Sequence, residues 1–305
     1  MRIVSLLPSA TEILFALGLE DEIVGVSPEC NHPPAARTKP VVSQNLIEPE
    51  AMGQGDIDAA VVAHLREGGA LYHVDVEKLR AAAPDVIFTQ NLCEVCAASV
   101  QDVTAVAAEL PKRPEIVSLD PSDLDEVIRC IEKVGAETGR EAESRALVDS
   151  LAARLDAVAE RILGIAERPA VACIEWYDPL YNAGHWVPQM VELAGGEELL
   201  AQRGRPSRRI EWRDIVHAAP DVVLLMPCGF AIQRAVKDAH FMTRLPGWRD
   251  LPAVRRGRVF AVDGSSYFSR PGPRLVEGVE LLAHLFHPER FPKEWPMDAV
   301  QRMAG

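Results

Sequence analysis

The chain has 305 residues, enough for two domains of about 100–150 residues each. Its residues are 48% hydrophobic and 25% charged, which provides for real cores and excludes bulk disorder. A formal net charge of −13, from 45 acidic against 32 basic residues, together with the lack of any Lys/Arg-rich run, excludes nucleic acid as a partner.

No apolar stretch reaches the roughly 20 residues that span a bilayer, so direct membrane insertion is not expected. The first residues, Met1 to Gly18, carry Pro8, Ser9, Thr11 and Glu12 among the apolar positions and do not form a secretory h-region. As the chain stands, a cytoplasmic protein is expected, or a periplasmic one if a leader has been removed. The six cysteines, Cys30, Cys93, Cys96, Cys130, Cys173 and Cys228, are too sparse for a disulfide scaffold. In a reducing compartment they are thiols or metal ligands.

In chain order, short β-branched runs alternate with helical patterns, which predicts α/β units with mainly parallel sheets. Strands are expected at Ile3–Leu6, Ile23–Val26, Val86–Thr89 and Ile116–Leu119. A second group is expected at Val171–Glu175, Val222–Met226 and Val259–Val262. After the first strand, Ser9 and Glu12 have capping-box spacing, predicting a helix through Leu17 that Gly18 stops.

Between the strand groups, Leu147, Leu151, Leu155, Val158, Ile162 and Ile165 recur at steps of three and four. This predicts a helix over 141–167, a rod of about 35–40 Å, with Pro169 beyond its end. The domains are then an N-terminal lobe at 1–140, the connecting helix, and a C-terminal lobe at 168–305 with a Pro-rich, non-helical surface tail. The halves echo each other: Lys78 to Phe88 and Asp214 to Leu224 both read as a helix, then Ala-Pro-Asp, then a buried strand. That pattern predicts a duplicated lobe.

In open α/β folds, ligands collect at loops beyond the carboxyl ends of strands. The corresponding loops here gather Glu29, Cys30, Asn31 and His32, then Gln90, Asn91, Cys93 and Cys96, all before the middle of the chain. Later loops gather Glu175, Trp176, Tyr177, His185 and Trp186, then Cys228 and Phe230, then Tyr267, Phe268 and Arg270. Trp176, Tyr177, Trp186, Tyr267 and Phe268 supply flat area for a macrocycle, and a few polar groups would fix its orientation. Cys93-x-x-Cys96, joined by Cys30, His32 and Cys228, is a candidate thiolate site for zinc or iron; buried structural thiols are the alternative. His185 reads as a loop hydrogen-bonding residue or a ligand. Buried carboxylates such as Glu29 and Glu175 require a donor or a cation, with Arg270 as one possible partner. No catalytic constellation is seen. The first strand-to-helix turn lacks a glycine-rich phosphate loop, and neither Gly-x-Ser-x-Gly nor His-Glu-x-x-His occurs.

Arg2-Ile-Val-Ser-Leu-Leu-Pro-Ser-Ala-Thr-Glu12, Gly25-Val-Ser27 with Pro33-Pro34, and Pro84-Asp85-Val-Ile resemble the N-lobe of the cobalamin and iron-chelate type of periplasmic solute-binding proteins. Tyr181-Asn-Ala-Gly184, Val191-Glu-Leu-Ala-Gly-Gly196 and Ser269-Arg-Pro-Gly-Pro-Arg274 resemble its C-lobe, and the likeness covers about residues 1–287. The family resemblance implies two Rossmann-like lobes joined by one long backbone helix, with a ligand in the inter-lobe cleft. It implies a small-molecule ligand such as cobalamin, a related corrinoid, haem or a metal chelate, with no cofactor required. It also implies an ABC permease partner that docks on one surface carboxylate per lobe, here Glu77 and Asp214. A monomer is expected. Some positions where the family offers aromatics to the corrin are Glu29, Gln90, Glu175 and Arg208 in this chain, which leaves a more polar or cationic ligand open. The other classes left open are a tetrapyrrole metal chelatase using His32, His185 and Glu175, a thiolate metal-binding protein, and a cytoplasmic corrinoid carrier.

Overall fold

A computed structural model describes residues 1–66, 71–91 and 98–303. The chain divides into two compact units, one of Met1–Pro121 with Asp125–Asp149, the other of Ser122–Leu124 with the chain from Ser150 onward.

In the first unit, strands β1 (Ile3–Ser5), β2 (Ile23–Val26), β5 (Val86–Thr89) and β6 (Glu115–Ser118) form a parallel sheet in the order β2-β1-β5-β6. β1 and β5 are buried at every position, as expected of strands with helices or loops on both faces. A separate antiparallel pair, β3 (Ser43–Asn45) with β4 (Tyr72–Val74), was not expected. Each is only three residues long, and β3, Ser43-Gln44-Asn45, is wholly polar, so the pair shows no apolar strand pattern.

The first helix, Pro8–Ala16, begins one residue before the expected capping box. Pro8 occupies its first turn, where a fixed φ and a missing N–H carry no penalty. Ser9 and Glu12 are therefore buried inside the helix and no side chain caps it. Gly18, at φ +72°, ends the run as expected.

The helix between the strand groups runs from Glu141 to Ile162, 22 residues and about 33 Å long. The predicted stripe is the inward one: Leu151 and Val158 are buried, and Leu147, Leu155 and Ile162 half-buried. It ends five residues before the expected 167 because Gly164 takes φ +75°. The division between the units falls within this helix, between Asp149 and Ser150. In the second unit, Arg154 grips Glu280 in a two-pronged ion pair at 2.8 and 2.9 Å.

The second unit holds β7 (Ala170–Tyr177), β8 (Leu180–Asn182), β9 (Glu197–Glu198), β10 (Val222–Leu225), β11 (Val259–Val262) and β12 (Val300–Arg302). Their order is β12-β11-β10-β7-β8, with β9 also parallel to β7. The tail over 287–296 is non-helical and mostly exposed, with His287 and Phe291 buried; beyond it the chain adds β12 antiparallel to β11 and buries Ala299. Among the described residues no helix is long and apolar enough to cross a membrane.

The sequence echo is a structural repeat. Ala83 and Ala219 both take left-handed backbone, at φ 42° and 46°, and end their helices before Pro-Asp. Asp85 then donates its N–H to the Arg2 carbonyl at 2.8 Å and accepts the Arg2 N–H on its side chain at 2.8 Å. Asp221 does the same with Ala170, at 2.8 and 3.2 Å. Each aspartate ties the start of the next parallel strand to the first strand of its own unit, and each also meets a cation, Lys112 or Arg256.

One buried acid gives the fold a pH dependence. Glu198, on β9, accepts N–H groups from Cys173 at 3.2 Å and Leu200 at 2.9 Å. Burial outweighs these bonds and pushes its carboxyl from 4.5 up to about 7. Between those two values the folded chain holds a proton that the unfolded chain releases, so this group's contribution to stability falls as pH rises from 4.5 to 7. Thermal melts across that window should show a steeper decline for the wild type than for Glu198→Gln; identical slopes would contradict the assignment.

Candidate functional site

The first unit's strand-end loops are organised around one carboxylate. Glu29, half-buried after β2, accepts hydrogen bonds on one oxygen from Asn45 Nδ2 at 3.2 Å and the Tyr72 hydroxyl at 3.1 Å. The unexpected pair β3–β4 exists at this point to supply those donors, so the requirement read from the sequence is met by the protein itself. Gln90 is buried at the end of β5, while Asn91 is exposed and its N–H binds the side chain of Asp120.

Cys30 is not offered to a ligand. It is 3% exposed, and its sulfur accepts from the Thr11 hydroxyl at 2.9 Å and lies 3.2 Å from that of Ser27. It is a small buried group joining the β2 loop to the first helix. His32 is half-buried beside it in sequence. Cys93 and Cys96 lie outside the described residues. Cys30 and Cys228 belong to different units, and no group of three or more His, Cys, Asp or Glu that could hold a metal is found among the described residues.

The second unit brings several predicted residues together. At the end of β7, Trp176 stacks on Phe230 from the loop after β10, with ring centroids 5.9 Å apart and planes at 29°. That loop is fastened by the Cys228 N–H to the Glu175 carbonyl at 3.0 Å and by the Ser265 N–H to the Phe230 carbonyl at 3.0 Å. Glu175 and Trp176 are half-buried, and the indole N–H of Trp176 is enclosed without an acceptor among the described residues. Behind Phe230, the Arg234 guanidinium sits 4.5 Å from the ring centroid and pairs with Asp238 at 2.5 Å.

Tyr177, expected to face a ligand, points the other way. Tyr177 enters the core with Ile174, Leu225 and Trp248 although it lies three residues from Ile174, because a register shift between Ile174 and Trp176 resets the alternation of β7; Trp176 stays half-buried. Trp186 is also structural: it is 6% exposed and donates its indole N–H to the Phe268 carbonyl at 2.7 Å. Phe268 is buried with it. Tyr267 is half-buried and meets Trp295 edge to face at 6.0 Å.

His185 has left-handed backbone, φ 54°, between an N–H bond to the Arg205 carbonyl and a carbonyl bond from the Gly204 N–H. Its ring lies 5.5 Å from that of Trp186, and burial lowers its pKa, favouring neutral imidazole. Arg208 contributes backbone, donating its N–H to Asn182 Oδ1 at 2.7 Å, with its side chain exposed. Arg270 is half-buried. With Arg274 it acts on Asp263, whose carboxyl is nevertheless raised by burial.

The proposed docking acids are both exposed, but they are not equivalent. Glu77 pairs with Arg80 at 2.5 Å, and Asp214 accepts the Glu211 N–H at 2.9 Å to cap its own helix. Counting back from Pro84 and Pro220 sets Glu77 against Arg213, one residue out of register with Asp214. Sequence reasoning missed Tyr72, Asn45, Arg234, Asp238 and Trp295. Only Arg234 and Asp238 carried a signal, the i,i+4 spacing of opposite charges on a short helix.

Comparison with known proteins agrees with this architecture. The model of the periplasmic binding protein family matches residues 3–265. An uncharacterized ABC transporter substrate-binding lipoprotein, YvrC of Bacillus subtilis (strain 168), is 28% identical over 95% of this chain and 81% of its own length. The vitamin B12-binding protein of Vibrio cholerae is 22% identical over 92% of this chain and 86% of its own. The crystal structure of a periplasmic heme binding protein from Pseudomonas aeruginosa superposes with a TM-score of 0.73 at 21% identity, covering 100% of this chain and 99% of that one. With the family model matching residues 3–265 and solute-binding proteins among its relatives, the chain belongs to the periplasmic binding protein family.

Proposed function

We propose that this chain is the receptor of an ABC importer and captures a corrinoid, cobalamin or a close relative, on its strand-end loops. The observation that supports this most is the stack of half-buried Trp176 on buried Phe230, aromatic area of the kind a conjugated macrocycle packs against. Polar side chains lie on the strand-end loops of each unit: Glu175, His185 and Arg270 in the second, and Gln90 and the anchored Glu29 in the first. Such groups suit the amide rim of a corrin. A vitamin B12-binding protein among the relatives supports the same choice. Capture for import takes place outside the cytoplasmic membrane, and Glu77 and Asp214 would face the permease.

Equilibrium titration with cyanocobalamin, with hemin in parallel, tests the reading. Saturable one-to-one binding of cyanocobalamin at least tenfold tighter than hemin, a difference of about 1.4 kcal/mol, is expected. Preference for hemin would replace corrin by porphyrin, and binding of neither would end the reading.

A further inference from the structure

A buried ion pair is weak as a source of stability, because removing two charges from water offsets most of their attraction. Arg234 and Asp238 nevertheless form one in the second unit, with side chains 8% and 6% exposed and 2.5 Å between Nε and Oδ2. The pair lies on the helix Ile232–Asp238, whose Ile232 and Ala235 pack into the core. The pair also contacts a ring: the guanidinium lies over Phe230, whose ring stacks on Trp176. The contacts run Asp238, Arg234, Phe230, Trp176, from the buried ion pair to the half-buried indole.

We infer that Arg234, held flat by Asp238, is a positioning residue that fixes the tilt of the Phe230–Trp176 platform and so sets its affinity for a flat conjugated ligand. Three features support this. Arg234 is planar and forked, so one carboxylate can fix its orientation where an ammonium would rotate. A cation over an aromatic face, desolvated, attracts that face. Phe230, 5% exposed, contacts both Arg234 and Trp176, so its ring is the link between the ion pair and the indole. The ligand class rests on the corrinoid reading above; the positioning role does not.

The test replaces the pair together, Arg234→Met with Asp238→Leu, so that no charge is left buried alone. The melting temperature should hold or rise, as expected when apolar residues of similar size replace a buried pair. Cyanocobalamin affinity should nevertheless fall about tenfold, and Arg234→Lys, which keeps the charge but not the flat face, should fall as far. Independently of any ligand, the double variant should change the near-ultraviolet circular dichroism and tryptophan emission. Those changes should vanish when Trp176→Phe is already in place. If the wild type binds neither cyanocobalamin nor hemin, the functional reading fails, and the spectra alone decide the role of the pair. Unchanged spectra would overturn the inference, as would wild-type affinity in the double variant.

Discussion

Trp176→Ala should weaken cyanocobalamin binding by about 2 kcal/mol, roughly thirtyfold, while leaving the chain folded. The residue is half-buried at the end of β7, and its visible protein contact is the stack on Phe230. The ring pairing contributes about 0.5–1.5 kcal/mol beyond the area it buries. The affinity loss would come from the part of the ring that the ligand covers. Tyr267→Ala should follow in the same direction, by less, because Trp295 already occupies one edge of the Tyr267 ring. Glu77→Ala should leave affinity unchanged, since that carboxylate is exposed and engaged only with Arg80 in the pairs seen. Calorimetric titration of the three variants separates them; equal losses would mean that the ligand surface lies elsewhere.

Gly264→Ala should be strongly damaging. A Cβ on Gly264 would stand 2.4 Å from the Pro227 carbonyl oxygen and 3.1 Å from Met226 main-chain atoms. These are backbone atoms at the end of β10, so no side chain can turn aside. Overpacking at such a point costs about 3 kcal/mol, a fall of roughly 6–12 °C in melting temperature for a unit of this size. The neighbouring Ser265 N–H holds the Phe230 carbonyl at 3.0 Å, so the ring platform would shift as well and affinity would drop with stability. A melting temperature within about 1 °C of wild type would show that the junction yields more easily than its backbone contacts imply.

How much of this was legible beforehand differs by the kind of signal. β2, β5 and β11 have the predicted limits, because continuous buried runs of Val, Ile and Phe declare parallel strands. The long helix was legible from its stripe, and its end was misplaced because Pro169 was given the role that Gly164 performs. β3, β4 and β12 were invisible: three residues become a strand only when a partner strand offers its hydrogen bonds. The sites divide in the same way. Trp176, Phe230 and Tyr267 lie at or just beyond strand ends, where the scaffold puts such segments. Tyr177 and Trp186 are close to them in sequence and similar in chemistry, yet the register shift in β7 and one indole hydrogen bond turn them inward. Residue type named the loop, but only the register of the strand named the face.

The thiols illustrate a similar limit. Cys30 shares a loop with Glu29 and looks like a ligand, but Thr11 and Ser27, from different parts of the chain, enclose it. No spacing in the sequence announces that meeting. Glu29 gains its donors from Asn45 and Tyr72, the second being the one tyrosine outside the expected loops.

The claim that a flat ligand is taken by the strand-end loops is tested most directly by hydrogen exchange with and without cyanocobalamin. Slower exchange is predicted in 175–178, 227–234 and 264–270, which carry Trp176, Phe230 and Tyr267, with no change in the repeated helices Val76–Ala82 and Trp212–Ala218. Protection confined to those helices, or absent from all three loops while the ligand is bound, would contradict the account.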